Sequence, residues 1–270
     1  MAHWINGCVN IGKDDMEYIA FGKGSKILII LPGLGDGLRS VKGTAIPFSA
    51  MYRKLGAEYR VYAFSRRRTV QAGHSTREMA DDVYHAAVNL GIEKAHVLGV
   101  SQGGLIAQHL AASYPDFVER MVLAVSTDKI EEEYHNVIEG WMEMASHDDY
   151  GGIMIDTAEK SYSERYLKKT RPMYFLLTRM GKPKSFQRFL HLAQSCLDHD
   201  SRKVLQQISC PVLVLGGKQD QIVGVNGSIR LAESIPDAQL YLYDGYGHGL
   251  YDEDKHFQQR ILEFLHGERK

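Results

Sequence analysis

The sequence contains little cysteine, and the cysteines it has are scattered. Cys8, Cys196 and Cys210 are its three cysteines, and they show no CxxC spacing. An odd and widely spaced set excludes a disulfide framework and a cysteine-based zinc site as the basis of the fold. We therefore expect three reduced thiols.

Long apolar runs and an excess of charge are also missing. No run approaches the roughly 18 residues of a membrane span, and the start, MAHWINGCVN, lacks the basic and apolar regions of a secretory signal. These features favour a cytoplasmic protein without a membrane partner. The formal net charge of −1 argues against a nucleic-acid partner.

What the sequence does contain is an alternation of short apolar runs and amphipathic segments. The runs are KILIILPG, YRVYAFS, AHVLGVS, RMVLAVS, CPVLVLGG and AQLYLYDG. Runs of this kind are buried in parallel sheets, and the alternation predicts an α/β fold with helices on both faces of the sheet. Residues before Lys26, including MEYIAFG, are expected to add one or two edge strands.

One helix is marked clearly at both ends. Ser75 and Glu78 form a capping-box pattern, and Gly91 is expected to end the helix. Its apolar face would be formed by Met79, Val83, Ala87 and Leu90.

The alternation stops after Ser126 and resumes at Cys210. Between these points we find only helical patterns and polar connections. We therefore divide the chain into a core of residues 1–126 and 208–270 and an inserted helical cap of residues 127–207.

The strand AHVLGVS ends in a G-x-S-x-G pattern centred on Ser101, and a helical segment follows at once. A serine on such a tight strand-to-helix turn is exposed at the sheet edge, because flanking glycines remove the Cβ atoms that would clash. The N–H of Gln102 would then point toward an oxygen bound beside Ser101. This context predicts a nucleophile rather than an idle serine in a glycine-rich turn.

A serine nucleophile needs a base, and the base needs an orienting acid. Of the twelve histidines, His248 lies in a glycine-flanked loop after a predicted strand, where α/β sites form. Asp220 follows another strand in GGKQDQIV and is our candidate acid, with Asp128 as the fallback. The remaining candidates are interpreted as solvated carboxylates or as surface and packing histidines. They are Asp198, Asp200, Asp244, His85, His109, His135, His147, His191 and His199.

The glycine-rich turn in KILIILPGLGDG could cradle a phosphate or direct N–H groups at an oxyanion. Gly33, Gly35 and Gly37 do not complete G-x-G-x-x-G, because Leu38 occupies the place of the last glycine. A nucleotide site is therefore disfavoured.

Together LPGLGDG, GVSQGG, GGKQDQIV and GYGHG resemble the α/β-hydrolase fold family, specifically its single-domain serine hydrolases and esterases with a helical cap. The resemblance implies an eight-stranded, mostly parallel sheet, with Ser101 as nucleophile, Asp220 as acid and His248 as base. It also implies that the N–H of Leu34 is the second oxyanion donor.

The sequence departs from this family at two places. Many relatives carry His-Gly where this chain has Pro32-Gly33, and many carry an aspartate after the fourth strand, where this chain has Ser65, Arg66, Arg67 and Arg68. The second change weakens any substrate inference from the family. The serine at the turn argues against dehalogenases and epoxide hydrolases, which use an aspartate there.

The predicted cap is split by charge. Residues 127–160 carry ten acids against two bases, whereas residues 161–187 carry seven bases against Glu164 alone. Solvated helix faces explain this pattern. The alternative is that the basic half, with Arg66 to Arg68, attracts an anionic substrate or an acidic acyl carrier.

Aromatic and methionine side chains in the cap would form its own core and roof the site, which favours an apolar or aromatic acyl group. The candidate substrate contacts are Arg66, Trp141, Met144, Tyr174 and Phe175.

These residues predict a serine hydrolase that cleaves a carboxylic ester through an acyl-enzyme, with no metal or organic cofactor. Thioester, amide or C–C bond hydrolysis, acyl-carrier esters, and cofactor-free lyase or perhydrolase chemistry remain alternatives on the same triad. A non-catalytic ligand receptor is a further alternative. The oligomeric state and natural substrate are not determined by the sequence.

Overall fold

In the computed structural model, which describes residues 4–267, eight strands form one sheet. The strands are β1 Ile5–Ile11, β2 Asp14–Phe21, β3 Lys26–Leu31, β4 Tyr59–Arg67, β5 Ala95–Val100, β6 Val118–Ala124, β7 Val212–Gly217 and β8 Gln239–Tyr243. Their order is β1-β2-β4-β3-β5-β6-β7-β8. The pairs β1–β2 and β2–β4 are antiparallel, and all the others are parallel. This confirms the predicted sheet and the extra edge strands.

Twelve α-helices accompany the sheet in the described part of the chain. They are α1 Ala45–Met51, α2 Arg53–Glu58, α3 Thr76–Asn89, α4 Gln102–Ser113, α5 Glu132–Ser146, α6 Tyr150–Ser161, α7 Glu164–Thr170, α8 Tyr174–Leu177, α9 Gln187–Leu197, α10 Gly224–Ser234, α11 Leu250–Glu253 and α12 Phe257–Leu265. Short 3₁₀ turns cover Leu34–Gly37, Arg171–Met173 and Leu205–Gln207. None of these helices combines the length and apolarity needed to cross a lipid bilayer.

The central strands are apolar along their whole length because both faces of the sheet are covered. In β3, Ile29 and Leu31 pack into the core on the α3, α4 and α10 side, whereas Leu28 and Ile30 pack against α2 and α12 on the other side. All four side chains are fully buried. A parallel sheet between two helical layers requires this uniform apolarity.

Helix α3 has the ends that its sequence predicts. The Ser75 side chain accepts a hydrogen bond from the N–H of Glu78, whose carboxylate accepts one from the N–H of Ser75. Gly91 has a φ of 74°, a left-handed conformation that favours glycine. The reciprocal cap fixes where this crossover helix begins.

Helices α5 to α9 lie between β6 and β7, within the segment that the sequence assigns to the cap. Helix α9 packs on the turn Leu34–Gly37 so closely that a Cβ at Gly37 would lie 2.9 Å from the Cα of Phe189. The inserted helices therefore cover the carboxyl ends of the central strands.

Candidate active site

Ser101 lies on the sharp turn between β5 and α4, with φ 53° and ψ −120°. The turn needs glycine on both sides. A Cβ at Gly99 would lie 2.6 Å from the carbonyl oxygen of Gly103, and a Cβ at Gly103 would lie 1.9 Å from the carbonyl oxygen of Leu31. The G-x-S-x-G spacing is thus what allows α4 to dock directly behind the serine.

The structure brings Ser101, His248 and Asp220 together in the geometry of a serine–histidine–aspartate catalytic triad. His248 Nε2 lies 2.9 Å from Ser101 Oγ, and His248 Nδ1 lies 2.8 Å from Asp220 Oδ2. With the proton on Nδ1, His248 donates to the carboxylate and accepts from the serine hydroxyl. The arrangement can deprotonate Ser101 as it attacks an acyl group.

Asp220 is itself held in place by the backbone. Its Oδ1 accepts hydrogen bonds from the N–H groups of Ile222 and Val223, at 2.9 and 3.1 Å. This leaves Oδ2 directed at the imidazole. Both Asp220 and His248 are buried, so water does not compete for their contact.

The other aspartates considered from the sequence have different partners. Asp128 is buried but accepts a hydrogen bond from Arg230, and Asp244 is an exposed partner of Lys218. Asp198 accepts from Gln194 and Asp200 from Arg202. None of these contacts leads to His248, so the geometry leaves Asp220 as the acid.

Two backbone N–H groups border the nucleophile. Gln102 is the first residue of α4 and Leu34 the first of the 3₁₀ turn, where N–H groups have no acceptor within their own helix. Gly33, the residue before Leu34, lies beside the nucleophile, because a Cβ at Gly33 would be 3.8 Å from Ser101 Oγ. The positions suit an oxyanion hole, and the role of Leu34 and Gln102 as its donors stays a prediction.

A cavity of about 320 Å³ opens above Ser101 and His248. Its walls are mostly apolar and come from the turn after β3, from α6 and from single residues of α5, α9 and α11. They include Pro32, Gly33, Leu34, Gly35, Asp36, Leu38, Trp141, Ile153, Met154, Thr157, Ser161, Phe189, Ile222 and Tyr251. A pocket of this size suits a small organic substrate.

Of the cap residues proposed as substrate contacts, Trp141 lines this cavity, and its Nε1 donates to Asp156 at 2.7 Å. Met144 lies beside Gly152 on the cap's own helices. The Tyr174 hydroxyl donates to Glu159, and Phe175 is exposed. These three side chains are not among the residues that line the cavity.

The wall residues that the sequence analysis missed include Ile153, Thr157 and Ser161, which are spaced four residues apart on α6. Residues at this spacing share one helix face. The spacing is visible in the sequence, but nothing there tells which face of α6 points at Ser101.

Arg66 lies behind the turn Leu34–Gly37 rather than in the cavity. It is 2% exposed, and its Nη2 donates to the carbonyl oxygen of Pro32 at 2.5 Å and to Gln102 Oε1 at 3.3 Å. Burial lowers its pKa to about 10, an effect that nearby Asp36 opposes. Arg67 pairs with Asp82, and Arg68 approaches Asp15 and Glu17. None of the three arginines faces the cavity.

The two departures from the family pattern meet in this network. Asp36 Oδ1 accepts from the hydroxyl of Ser65 at 2.6 Å, and Asp36 Oδ2 accepts from the N–H of Arg66 at 2.9 Å. A carboxylate therefore still lies at the end of β4, but it comes from Asp36 in the turn Leu34–Gly37.

Within residues 4–267 no group of three or more His, Cys, Asp or Glu side chains could hold a metal ion. Ser101, His248 and Asp220 meet at the floor of the cavity, and the Asp36 carboxylate and the Tyr251 hydroxyl belong to residues that line it.

The sheet, the inserted helices and the Ser101–His248–Asp220 triad are typical of a hydrolase whose nucleophile lies on a strand-to-helix turn. The chain belongs to the α/β-hydrolase fold family, whose model matches residues 26–255. The same architecture is found in the crystal structure of MGS-M2, an α/β hydrolase from a Medee basin deep-sea metagenome library. That structure has a TM-score of 0.84 and 21% identity, and 98% of each chain is covered.

Curated relatives match most of the chain at 22% to 28% identity. The putative carbamate hydrolase RutD of Caulobacter sp. (strain K31) is 26% identical, with 89% of this chain and 91% of that protein covered. A pimeloyl-[acyl-carrier protein] methyl ester esterase of Chromobacterium violaceum is 28% identical, with 63% and 70% covered. A 2-hydroxy-6-oxononadienedioate/2-hydroxy-6-oxononatrienedioate hydrolase of Pseudomonas sp. is 22% identical, with 97% and 93% covered.

Proposed function

We propose that this protein is a serine hydrolase that cleaves a carboxylic ester with an apolar or aromatic acyl part through an acyl-enzyme. The observation that carries the proposal is the Ser101–His248–Asp220 triad at the floor of a mostly apolar cavity. The triad supplies the nucleophile, and the cavity selects the acyl group.

In the first half of the reaction, Ser101 Oγ attacks the ester carbonyl while His248 Nε2 takes the serine proton. The carbonyl oxygen becomes an oxyanion between the N–H groups of Leu34 and Gln102. His248 then gives the proton to the departing alkoxide, so the alcohol leaves and the acyl group stays on Ser101.

In the second half, water attacks the acyl-enzyme. His248 accepts a proton from the water and returns it to Ser101 as the acid is released. Asp220 stays ionised and stabilises the imidazolium at each half-reaction.

The cavity favours a neutral acyl group over a dicarboxylate. Among its lining residues within the described chain there is no lysine or arginine. A buried carboxylate without a cationic partner is costly. This observation supports an ester or a carbamate more than the dienedioate substrate named for the Pseudomonas relative.

Ester hydrolysis can be tested with Ser101→Ala. The variant keeps the fold, because the hydroxyl is small and its neighbours stay in place. We expect ester turnover to fall by at least about 10³-fold, since the nucleophile is lost. The measurement is hydrolysis of short, long, aromatic and anionic acyl esters, alongside a carbamate, a thioester and a vinylogous 1,5-diketone.

Covalent labelling by a fluorophosphonate provides the control. Wild-type Ser101 should be labelled and Ser101→Ala should not. If the wild type is labelled and hydrolyses only the diketone or the carbamate, the ester assignment is wrong and that reaction replaces it. If Ser101 is not labelled at all, the protein is better described as a ligand receptor.

A further inference from the structure

Arg66 is a costly residue at its position. Its side chain is 2% exposed, and neither Nε nor Nη1 has a hydrogen-bond partner within the described chain. A buried arginine with unpaired N–H groups destabilises a fold, and an apolar residue of similar volume often serves stability better. Folding alone therefore does not account for Arg66.

The contacts that Arg66 does make lead to both halves of the proposed oxyanion hole. Its Nη2 donates to the carbonyl oxygen of Pro32, two residues before Leu34, and to the side chain of Gln102. The Gln102 amide donates in turn to the carbonyl oxygen of Leu192 on α9 at 2.8 Å. One guanidinium group thus connects the two segments that carry the N–H donors.

The same cluster has a surplus of positive charge. Arg188, from α9, forms an ion pair with Asp36 at 2.6 Å and donates to the carbonyl oxygen of Arg66. The guanidinium group of Arg188 bonds to the Asp36 carboxylate, whereas that of Arg66 has no carboxylate partner in the described chain, so these three side chains together carry a net charge of +1 behind the turn. In a water-poor site such a charge favours a negative charge that develops nearby.

From these contacts we propose that Arg66 is a positioning residue for the oxyanion hole. It holds the Pro32 carbonyl away from the cavity so that the Leu34 and Gln102 N–H groups face the substrate. Its positive charge also favours the tetrahedral oxyanion as that forms. This proposal rests on the acyl chemistry proposed above.

Arg66→Met tests the proposal. We expect kcat to fall about 10–100-fold with KM changed by less than about twofold, because the contact matters in the transition state and not in substrate binding. Inhibition by an aryl trifluoromethyl ketone should weaken by the same factor as kcat. In that adduct Ser101 Oγ bonds to the carbonyl carbon, the proton moves to His248, and the oxyanion forms.

The melting temperature separates this role from a structural one. Because Arg66→Met removes a buried charge with two unpaired N–H groups and keeps the ion pair between Asp36 and Arg188, we expect Tm to be unchanged or higher. Arg66→Lys, which keeps the charge with fewer donors, should recover part of the lost kcat and inhibitor affinity. If Arg66→Met does not fold, Arg66→Gln takes its place in the same comparison.

The matched control is Arg67→Met, which removes the neighbouring arginine from its pair with Asp82 and should lower Tm while leaving kcat and inhibitor affinity intact. Equal ketone affinity in wild type and Arg66→Met overturns the proposal, as does a loss of kcat that only follows a loss of folded protein. If the wild type hydrolyses no ester, the function fails, and the ketone comparison still decides the role of Arg66.

Discussion

At the scale of single residues, burial alone does not make a histidine functional. His96, His109, His199 and His248 are all buried. His248 is placed between an acid and a hydroxyl, whereas His199 accepts or donates one hydrogen bond with Thr76 and lies 5.3 Å from the ring of His109. Burial lowers the pKa of His199 to about 3, and the nearby His109 adds a smaller effect in the same direction.

This lowered pKa predicts acid sensitivity of the fold. The unfolded chain binds a proton at His199 below the ordinary pKa of 6.5, and the folded chain does not. The contribution to stability is complete above pH 6.5 and is lost as the pH falls toward 3. His199→Gln should therefore reduce the loss of unfolding free energy between pH 7 and pH 5 by about 1–2 kcal/mol.

Urea denaturation at each pH measures this change. His85→Gln is the control, because His85 is exposed on α3 and should leave the pH dependence as in the wild type. An unchanged slope in His199→Gln would show that His199 is protonated in the folded protein.

At the scale of elements, the docking of α4 against β3 decides the geometry of the nucleophile. A Cβ at Gly103 would meet the carbonyl oxygens of Leu31 and Pro32 at 1.9 and 2.8 Å, and backbone on both sides cannot give way cheaply. We expect Gly103→Ala to cost at least about 3 kcal/mol of stability and to displace Ser101. Tm and fluorophosphonate labelling rate are the measurements.

Gly140→Ala is the matched glycine substitution. Gly140 lies within α5, and a Cβ there would have nothing within 4 Å. Alanine should stabilise this helix by up to about 1 kcal/mol and leave labelling unchanged. Similar behaviour of the two variants would contradict the steric argument.

The same elements show what the sequence could predict. Ser101, Asp220 and His248 each follow a strand in the loops at the carboxyl edge of the sheet, and that edge is where the parallel arrangement must bring them together. The strand pattern also predicted a parallel sheet with extra edge strands, and the family resemblance implied that the sheet has eight strands.

The sequence could not predict which cap residues contact the substrate. An amphipathic helix shows that one face is buried but not what covers it. Met144 and Tyr174 have the same composition signal as Trp141, yet only Trp141 reaches the cavity. The partners of Arg66 were hidden for a related reason, because they lie on three segments far apart in the chain.

At the scale of the whole molecule, positive charge gathers on one part of the cap. Arg171 is paired with Glu159 and Glu164. Lys168 and Lys169 are exposed on α7, and so is Arg165. We propose an acidic acyl carrier as the candidate for this surface, separate from the neutral acyl group in the cavity.

Reversing Lys168 and Lys169 to Glu tests this surface. We expect KM to rise about 5–10-fold for an acyl ester presented on an acidic carrier, with a smaller effect at high salt, and to stay the same for a free neutral ester. Steady-state kinetics at two ionic strengths give both values. Lys13 and Lys23 are exposed just before and just after β2, and their reversal changes the net charge equally and serves as the control. If reversal of Lys168 and Lys169 changes KM for the carrier-bound ester no more than the control reversal does, an acidic carrier does not bind this surface.

The order of the triad residues along the chain also determines when, during synthesis, activity can first arise. Ser101 is translated before the cap, whereas Asp220 and His248 are translated after it. A chain that is still being made and has not reached residue 220 therefore contains the serine but neither the acid nor the histidine that would activate it. The insertion acts as a delay, so that hydrolytic competence appears only after the roof over the cavity has been synthesised.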